Sequence, residues 1–432
     1  MAFHGVSTDT RSLYAGALFV ALKGERFDGH TFVEEAFGRG AGAAVVSLGI
    51  AATGPLILVE DTLKALGAIA AAHRATLSAQ VIAVTGSTGK TTTKEMVAAI
   101  LSQGGPAART PGNYNNEIGV PLALLDLDES HHAVVVELAM RGRGQIAYLA
   151  QMARPQIGVI TNIGVSHMEL LGGREAIAET KAELLAELSE DGTAVLNADD
   201  EFFGFLGERT RARVVSFGQS NTADVRAADL RVGEGGLVQF RLRGWWGEQK
   251  IELKAAGRHH ALNAAAAAAA AMSAGADPEW VAAGLQTFET GDMRGQIVLA
   301  PRGFTIINDS YNAAPDSMRV ALDLLMDFPG ERKWAVLGDM RELGPMSPVW
   351  HQEVGALAAS LGIAGLVTVG ELGRLIALGA RSEMAGREVV EAADNSAATE
   401  ALAKRVRAGD VVLVKGSRAM KMEEIVKGLL GA

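Results

Sequence analysis

The feature that most constrains this chain is an unbroken apolar run, Val81-Ile82-Ala83-Val84, that passes directly into Thr85-Gly86-Ser87-Thr88-Gly89-Lys90-Thr91-Thr92-Thr93. A strand without a polar face has to be covered on both sides, which is the condition of a parallel sheet layered between helices. The glycines that follow let successive backbone N–H groups turn toward one anion, and a helix expected over 94–101 adds the positive end of its dipole. The spacing is the short form G-x-x-G-K-T-T, with Val84 standing where the longer phosphate loop has its first glycine. Gly86, Ser87, Thr88, Gly89, Lys90, Thr91 and Thr92 are therefore expected to bind ATP or GTP. Lys90 would reach the terminal phosphates, and the Thr91 or Thr92 hydroxyl would ligate Mg²⁺.

Around this loop the pattern predicts an α/β protein of about three domains, as 432 residues suggest. A first block, 1–78, is small and mixed, with strands over 17–22, 43–47 and 56–59 and a helix over 62–77. A second, 79–296, opens with the phosphate-loop strand and adds apolar strands over 133–136 and 157–160. Strands over 214–217, 237–242 and 251–253 then read as an antiparallel appendage to that domain, followed by a helix over 261–274. A third block, 297–432, alternates strands over 304–307, 334–337, 366–369 and 411–414 with helical sequence, the signature of a second doubly wound unit.

Composition closes off several function classes. The chain has no cysteine, so disulfides, thiolate metal sites and cysteine nucleophiles are excluded together. A net charge of −10 argues against nucleic acid as a partner, because phosphate backbones need a basic surface. A hydrophobic fraction of 48% with 21% charged residues argues against long disordered tails. The first residues show no apolar segment with a basic flank, and the alanine run 264–271 is too short to span a bilayer. The expectation is a cytoplasmic protein without membrane insertion.

Ligands in open α/β sheets sit beyond the carboxyl ends of the strands, so polar residues there are candidates. Glu137 ends the run Ala133-Val134-Val135-Val136 and is expected to ligate Mg²⁺, although a solvated strand end would read the same way. His167 follows the strand over 157–160, and imidazole is an acceptable ligand beside carboxylates. Lys181 shares the apolar stripe of Ile177, Leu184, Leu185 and Leu188 on a helix expected over 174–190. A buried ammonium needs a partner or a modification, unless it snorkels to water.

Taken together, these residues resemble the Mur ligase family along nearly the whole chain. The strings that carry the resemblance begin with Ser7-Thr8-Asp9-Thr10-Arg11 and the phosphate loop. They continue with Asn113-Tyr114-Asn115-Asn116-Glu117-Ile118-Gly119-Val120-Pro121 and Asn308-Asp309-Ser310-Tyr311-Asn312-Ala313-Ala314-Pro315-Asp316-Ser317-Met318, and close with Leu337-Gly338-Asp339-Met340-Arg341-Glu342-Leu343-Gly344. The resemblance is closest to the member that adds D-alanyl-D-alanine. It implies a small N-terminal α/β domain for the UDP end of the substrate, a central phosphate-loop ATPase with a parallel sheet, and a C-terminal Rossmann-like α/β domain that closes over the site.

The same resemblance implies ATP-dependent ligation of D-alanyl-D-alanine to UDP-N-acetylmuramoyl-tripeptide through an acyl phosphate, in peptidoglycan precursor synthesis, by a monomer. It implies that Lys181 is carbamylated by CO₂ to an anionic Mg²⁺ ligand beside Glu137 and His167. Ser7, Asp9 and Arg11 would face the uridine nucleotide, and Asn113 and Asn116 the muramoyl end. Asn263, Asn308, Asn312 and Arg294 would serve the nucleotide. Lys415 and Arg418, in Lys415-Gly416-Ser417-Arg418, resemble the closing motif of the family and would bind substrate. Two departures stand out. The family pattern G-x-H-N-x-x-N is here Gly257-Arg258-His259-His260-Ala261-Leu262-Asn263, and the expected G-R is replaced by Met293-Arg294-Gly295. Without the resemblance, Asn263 would read as a helix N-cap.

Overall fold

The computed structural model describes residues 3–25, 27–165, 171–384 and 386–431. Its strands form three sheets that follow one another along the chain. The first contains β1 (Val6–Ser7), β2 (Leu18–Val20), β3 (Ala43–Val46) and β4 (Leu56–Leu58) in that order, all parallel. Two residues are too few to leave an apolar run, which is why β1 is not visible as a strand in the sequence. The helix Thr62–Ala75 starts at Asp61, whose carboxylate accepts from the N–H groups of Leu63 and Lys64. It serves two cores at once. Leu66 packs with Val20 and Val45 of the first sheet, whereas Ala70 packs with Val81 and Leu149 of the second. Buried Arg74 then spans the joint, donating to the carbonyls of Ala153, Leu77 and Ala79.

The second sheet has nine strands: β5 (Gln80–Thr85), β6 (Ala107–Arg109), β7 (Ala133–Glu137), β8 (Ile157–Ile160), β9 (Thr193–Asn197), β10 (Arg213–Gly218), β11 (Val225–Val232), β12 (Leu237–Gly244) and β13 (Gly247–Ala256). Their order is β13-β12-β11-β10-β9-β8-β5-β7-β6. From β5 the chain moves out past β7 to β6, returns, and then adds β8 on the opposite side of β5. The end of β5 is therefore a switch point, where adjoining loops diverge and leave a crevice. The structure corrects the expected appendage. The strand predicted over 214–217 is β10, which pairs in parallel with both β9 and β11, and only β11 to β13 run antiparallel. Backbone pairing simply continues from one part to the other, a choice that strand length and composition do not encode.

Against this sheet lies the helix His259–Ser273, whose alanines 264–271 are all completely buried. Small side chains let it approach the phosphate-loop helix, Lys90–Leu101, with Met96, Val97 and Ile100 in one shared core. The third sheet orders β14 (Gln296–Leu299), β15 (Thr305–Asn308), β19 (Val411–Lys415), β16 (Lys333–Gly338), β17 (Gly365–Val369) and β18 (Glu388–Ala392). All pairs are parallel except β14 with β15. The architecture is thus three α/β domains. Among the described residues no helix is long and apolar enough to cross a membrane.

Candidate active site

At the end of β5 the backbone does what the glycines allow. Gly86 has φ +149° and Gly89 φ +78°, and a Cβ at either position would lie 1.8 Å from Thr161 Oγ1 or 2.5 Å from Asn263 Oδ1. The loop is thus held against two polar side chains at positions where only glycine fits. Lys90 folds back over it, donating from Nζ to the carbonyls of Gly86 at 2.8 Å and Ser87 at 3.3 Å. Asn162, at the end of β8, accepts from the Thr88 N–H at 3.0 Å and donates to its hydroxyl at 2.8 Å.

Sheet register sets the next group. Val84 of β5 pairs with Glu137 of β7, so the carboxylate emerges beside the loop. Glu137 is 2% exposed and accepts from the Thr91 hydroxyl at 2.7 Å and from Asn115 Nδ2 at 2.8 Å. Behind it, fully buried Lys94 donates to the carbonyl of Thr110 at 2.6 Å and fixes the segment that leads to Asn113 and Asn116. Lys94 was not singled out in the sequence, because a lysine following Thr91-Thr92-Thr93 carries no mark of burial.

Lys181 is 2% exposed, and no ion pair reaches its ammonium among the described residues. Burial, and then the neighbouring Lys90, hold it well below the ordinary lysine range. Lys90 is itself lowered by burial, with Glu137 opposing the shift and Arg294 adding to it. His167 lies outside the described residues. Among the described residues no group of three or more His, Cys, Asp or Glu side chains is gathered to hold a metal. Thr91 and Glu137 nevertheless present two oxygens at the mouth of the phosphate loop, and hard divalent cations take oxygen donors, with phosphate and water completing their shell.

A cavity of about 770 Å³ opens between the second and third sheets. One wall carries residues 87–92, Asn113, Asn116, Glu137 and Asn263; the other carries Arg294, Asn312, Lys415 and Arg418. The walls are joined at Val165, whose N–H donates to Asp316 Oδ2 at 2.9 Å, and at Arg258, which meets Asp327 at 2.6 Å. Asn263 sits within the helix that starts at His259, so it is not the N-cap. Arg294 lies 3.9 Å over the Tyr311 ring. Lys415, 3% exposed in its side chain, donates to Asp309 at 2.5 Å and to the Asn312 carbonyl at 2.8 Å. His260 also lines the cavity, yet neither of its ring nitrogens has a partner among the described residues. Burial and the adjacent His259 ring hold it well below the usual histidine range.

Several predicted residues stand elsewhere. Asn308 does not line the cavity. It accepts from the Ser310 hydroxyl at 2.6 Å and donates to Gln296 at 3.3 Å, which shapes the turn that presents Asn312. Ser7, Asp9 and Arg11 form a turn of their own at the first sheet. Asp9 accepts from Arg11 Nη2 at 2.6 Å, and that bond holds its carboxyl at about 2. Residues passed over in the sequence, Asn115 and Asn162 among them, had one usable signal: each lies in a loop beyond a strand end.

Comparison with known proteins accords with this geometry. Residues 84–271 match the Mur ligase middle domain, residues 293–418 the Mur ligase glutamate ligase domain, and residues 2–74 the Mur ligase family catalytic domain. The chain is 40% identical to the UDP-N-acetylmuramoyl-tripeptide–D-alanyl-D-alanine ligase of Bacillus subtilis, covering 99% of this chain and 93% of that one. It is 38% identical to the Escherichia coli protein of the same name, covering 98% and 93%. Among solved structures, MurF from Acinetobacter baumannii superposes with a TM-score of 0.92 at 33% identity, over 99% of this chain and 93% of that one. The MurF ligase of Thermotoga maritima in complex with ADP gives 0.89 at 30% identity, over 99% and 97%.

Proposed function

The chain belongs to the Mur ligase family, and we propose that the cavity between its second and third sheets is where ATP, a UDP-linked muramoyl tripeptide and D-alanyl-D-alanine meet. It is an ATP-dependent ligase that forms the peptide bond joining D-alanyl-D-alanine to UDP-N-acetylmuramoyl-tripeptide in peptidoglycan synthesis. The observation that carries the assignment of the site is the convergence of the phosphate loop, Glu137 and the third-sheet cations on one cavity.

The domains divide the work as 1–78 for the UDP end, 79–296 for ATP and chemistry, and 297–432 for closure. The three sheets fall within or close to these bounds. A free carboxylate is a poor electrophile, so the tripeptide carboxylate first takes the γ-phosphoryl group of ATP, releasing ADP. Lys90 and the N–H groups of residues 89–92 neutralise charge on that phosphoryl group as it transfers, work that is mainly electrostatic. The dipeptide amine then attacks the acyl carbon, a C–N bond forms, the amine loses its proton, and phosphate departs. Closure of the third domain keeps water from hydrolysing the acyl phosphate.

Thr91 and Glu137 would hold Mg²⁺, which supplies further charge neutralisation when bound. Lys181 is suited to carbamylation because burial disfavours its charged form and so favours the free amine, the form that adds to CO₂. His167 would complete that ligand set. Asn263, Asn312 and Arg294 serve the nucleotide, with Asn308 acting through the Asn312 turn; Asn113 and Asn116 serve the muramoyl end. Ser7, Asp9 and Arg11 take the uridine nucleotide, and Lys415 and Arg418 the peptide substrates. We read the enzyme as a cytoplasmic monomer. The test is phosphate release measured with each peptide substrate omitted in turn: release must require both, and ATP hydrolysis indifferent to the peptides would overturn the reading.

A further inference from the structure

We propose that Arg341 receives the C-terminal carboxylate of the incoming dipeptide, an inference that rests on the ligase reading and adds to it the group that selects an amino substrate ending in a free acid. The third-sheet wall offers four cations to the cavity, Arg294, Arg341, Lys415 and Arg418, and they are not equivalent. Lys415 is buried on Asp309, Arg418 is paired with Glu423 at 2.8 Å, and Arg294 lies flat on Tyr311 close enough to Lys90 to lower its proton affinity. Arg341 alone combines an exposed side chain, at 58%, with a loose pairing, 3.4 Å from Asp339.

That pairing is long, and it reaches only Oδ2 of Asp339. Its Oδ1 accepts from the N–H groups of Leu372 and Gly373 at 3.0 and 2.9 Å, at the start of the helix Gly373–Arg381. The backbone around Arg341 is, by contrast, fixed on both sides. The Met340 N–H donates to His351 Nε2 at 2.9 Å, and the Arg341 N–H donates to Ser417 Oγ at 2.8 Å. His351 is completely buried and held below the usual histidine range by that burial, which keeps Nε2 an acceptor. Glu342, directly after, adopts φ +63°, a conformation that L residues rarely take and that surrounding contacts have to hold. The fold thus anchors the main chain on buried groups and leaves the Arg341 guanidinium at the cavity with only a long pairing. A planar fork of donors fits a carboxylate with two parallel bonds.

The location also suits the chemistry. The acyl phosphate forms on the phosphate-loop wall, so the amine must arrive from across the cavity, and the far end of the dipeptide then lies toward the third sheet. Arg141, which also lines the cavity, belongs to the opposite wall with Glu137 and Asn116.

The experiment compares D-alanyl-D-alanine with its neutral C-terminal amide as amino substrate, at saturating ATP and UDP-muramoyl tripeptide, for the wild type, Arg341→Gln and Arg341→Lys. The wild type should prefer the acid by about 10- to 100-fold in kcat/KM, the worth of one charged hydrogen-bonded pair. Arg341→Gln should lose that preference through KM for the acid and leave the amide unchanged, while Arg341→Lys should recover part of it. Unchanged preference in Arg341→Gln overturns the assignment and leaves the ligase reading standing. Failure of the wild type to couple phosphate release to either dipeptide overturns both.

Discussion

The two walls of the cavity solve the burial of positive charge in opposite ways. Beside the phosphate loop, Lys90 donates from its ammonium to the carbonyls of Gly86 and Ser87, and Lys181, buried near Lys90, has no ion pair among the described residues. Both are pushed down by burial. On the third-sheet wall, Lys415 and Arg418 each have a carboxylate, Asp309 and Glu423, within 2.8 Å. Among the described residues Lys90 and Lys181 therefore have no carboxylate bonded to them, a counter-charge that a triphosphate or a carbamate would supply. On the second wall Lys415 and Arg418 carry their own carboxylates, so neither becomes a bare buried charge if that wall parts from the first.

Four experiments separate the walls, in descending order of expected effect. Lys90→Ala should cut phosphate release by about a thousandfold, as the loss of a donor to developing charge does, with an unchanged thermal midpoint. Residual turnover near the wild-type rate would mean that the first wall does not depend on its lysine. Lys181→Ala should cost on the order of a hundredfold, with partial recovery when a short carboxylate such as formate is added. Loss without any recovery over a formate titration would count against a carbamate there.

On the second wall the effect should be on folding first. Asp309→Asn leaves Lys415 buried without its counter-charge and should destabilise the chain by about 2 kcal/mol, less than a wholly buried pair because Asp309 is partly exposed. A denaturant midpoint equal to that of the wild type would show the pair to be dispensable.

The smallest effect concerns pH. His259 is lowered to about 4, chiefly by burial against the third domain, and His351 is lowered by burial as well. Their unfolded forms take up a proton near 6.5 while the folded forms resist it, so the folded state is penalised as pH falls. Stability should be full above about 6.5 and decline toward about 4. Denaturation midpoints measured from pH 7.5 to 5 test this, and a midpoint that rises on acidification contradicts it.

Much of the phosphate-loop wall was legible because its chemistry is written in contiguous residues. Val81 to Thr93 spells strand, turn and helix in one stretch, and the apolar run ending in Glu137 marks its neighbour. The third-sheet wall was legible only through resemblance. Nothing local separates Asn308, which braces a turn, from Asn312, which lines the cavity, since both belong to one string at the end of β15. Lys94 and Arg74 were not foreseen as buried, because the segments that cover them, including those with the acceptor carbonyls of Thr110 and Ala153, come from elsewhere in the sequence.

By itself the sequence determined the alternation of strand and helix, the loop that turns amides toward phosphate, and the absence of thiol chemistry. Those follow from periodicity, glycine and composition, each of which acts within a few residues. The tertiary structure decided the order β8-β5-β7, which sets Glu137 beside the loop, and the approach of the alanine helix that brings Asn263 against Gly89. It also decided which cations are matched and which stand open. Strand order, close packing and charge pairing depend on groups far apart along the chain, and their energies exist only once the chain has folded.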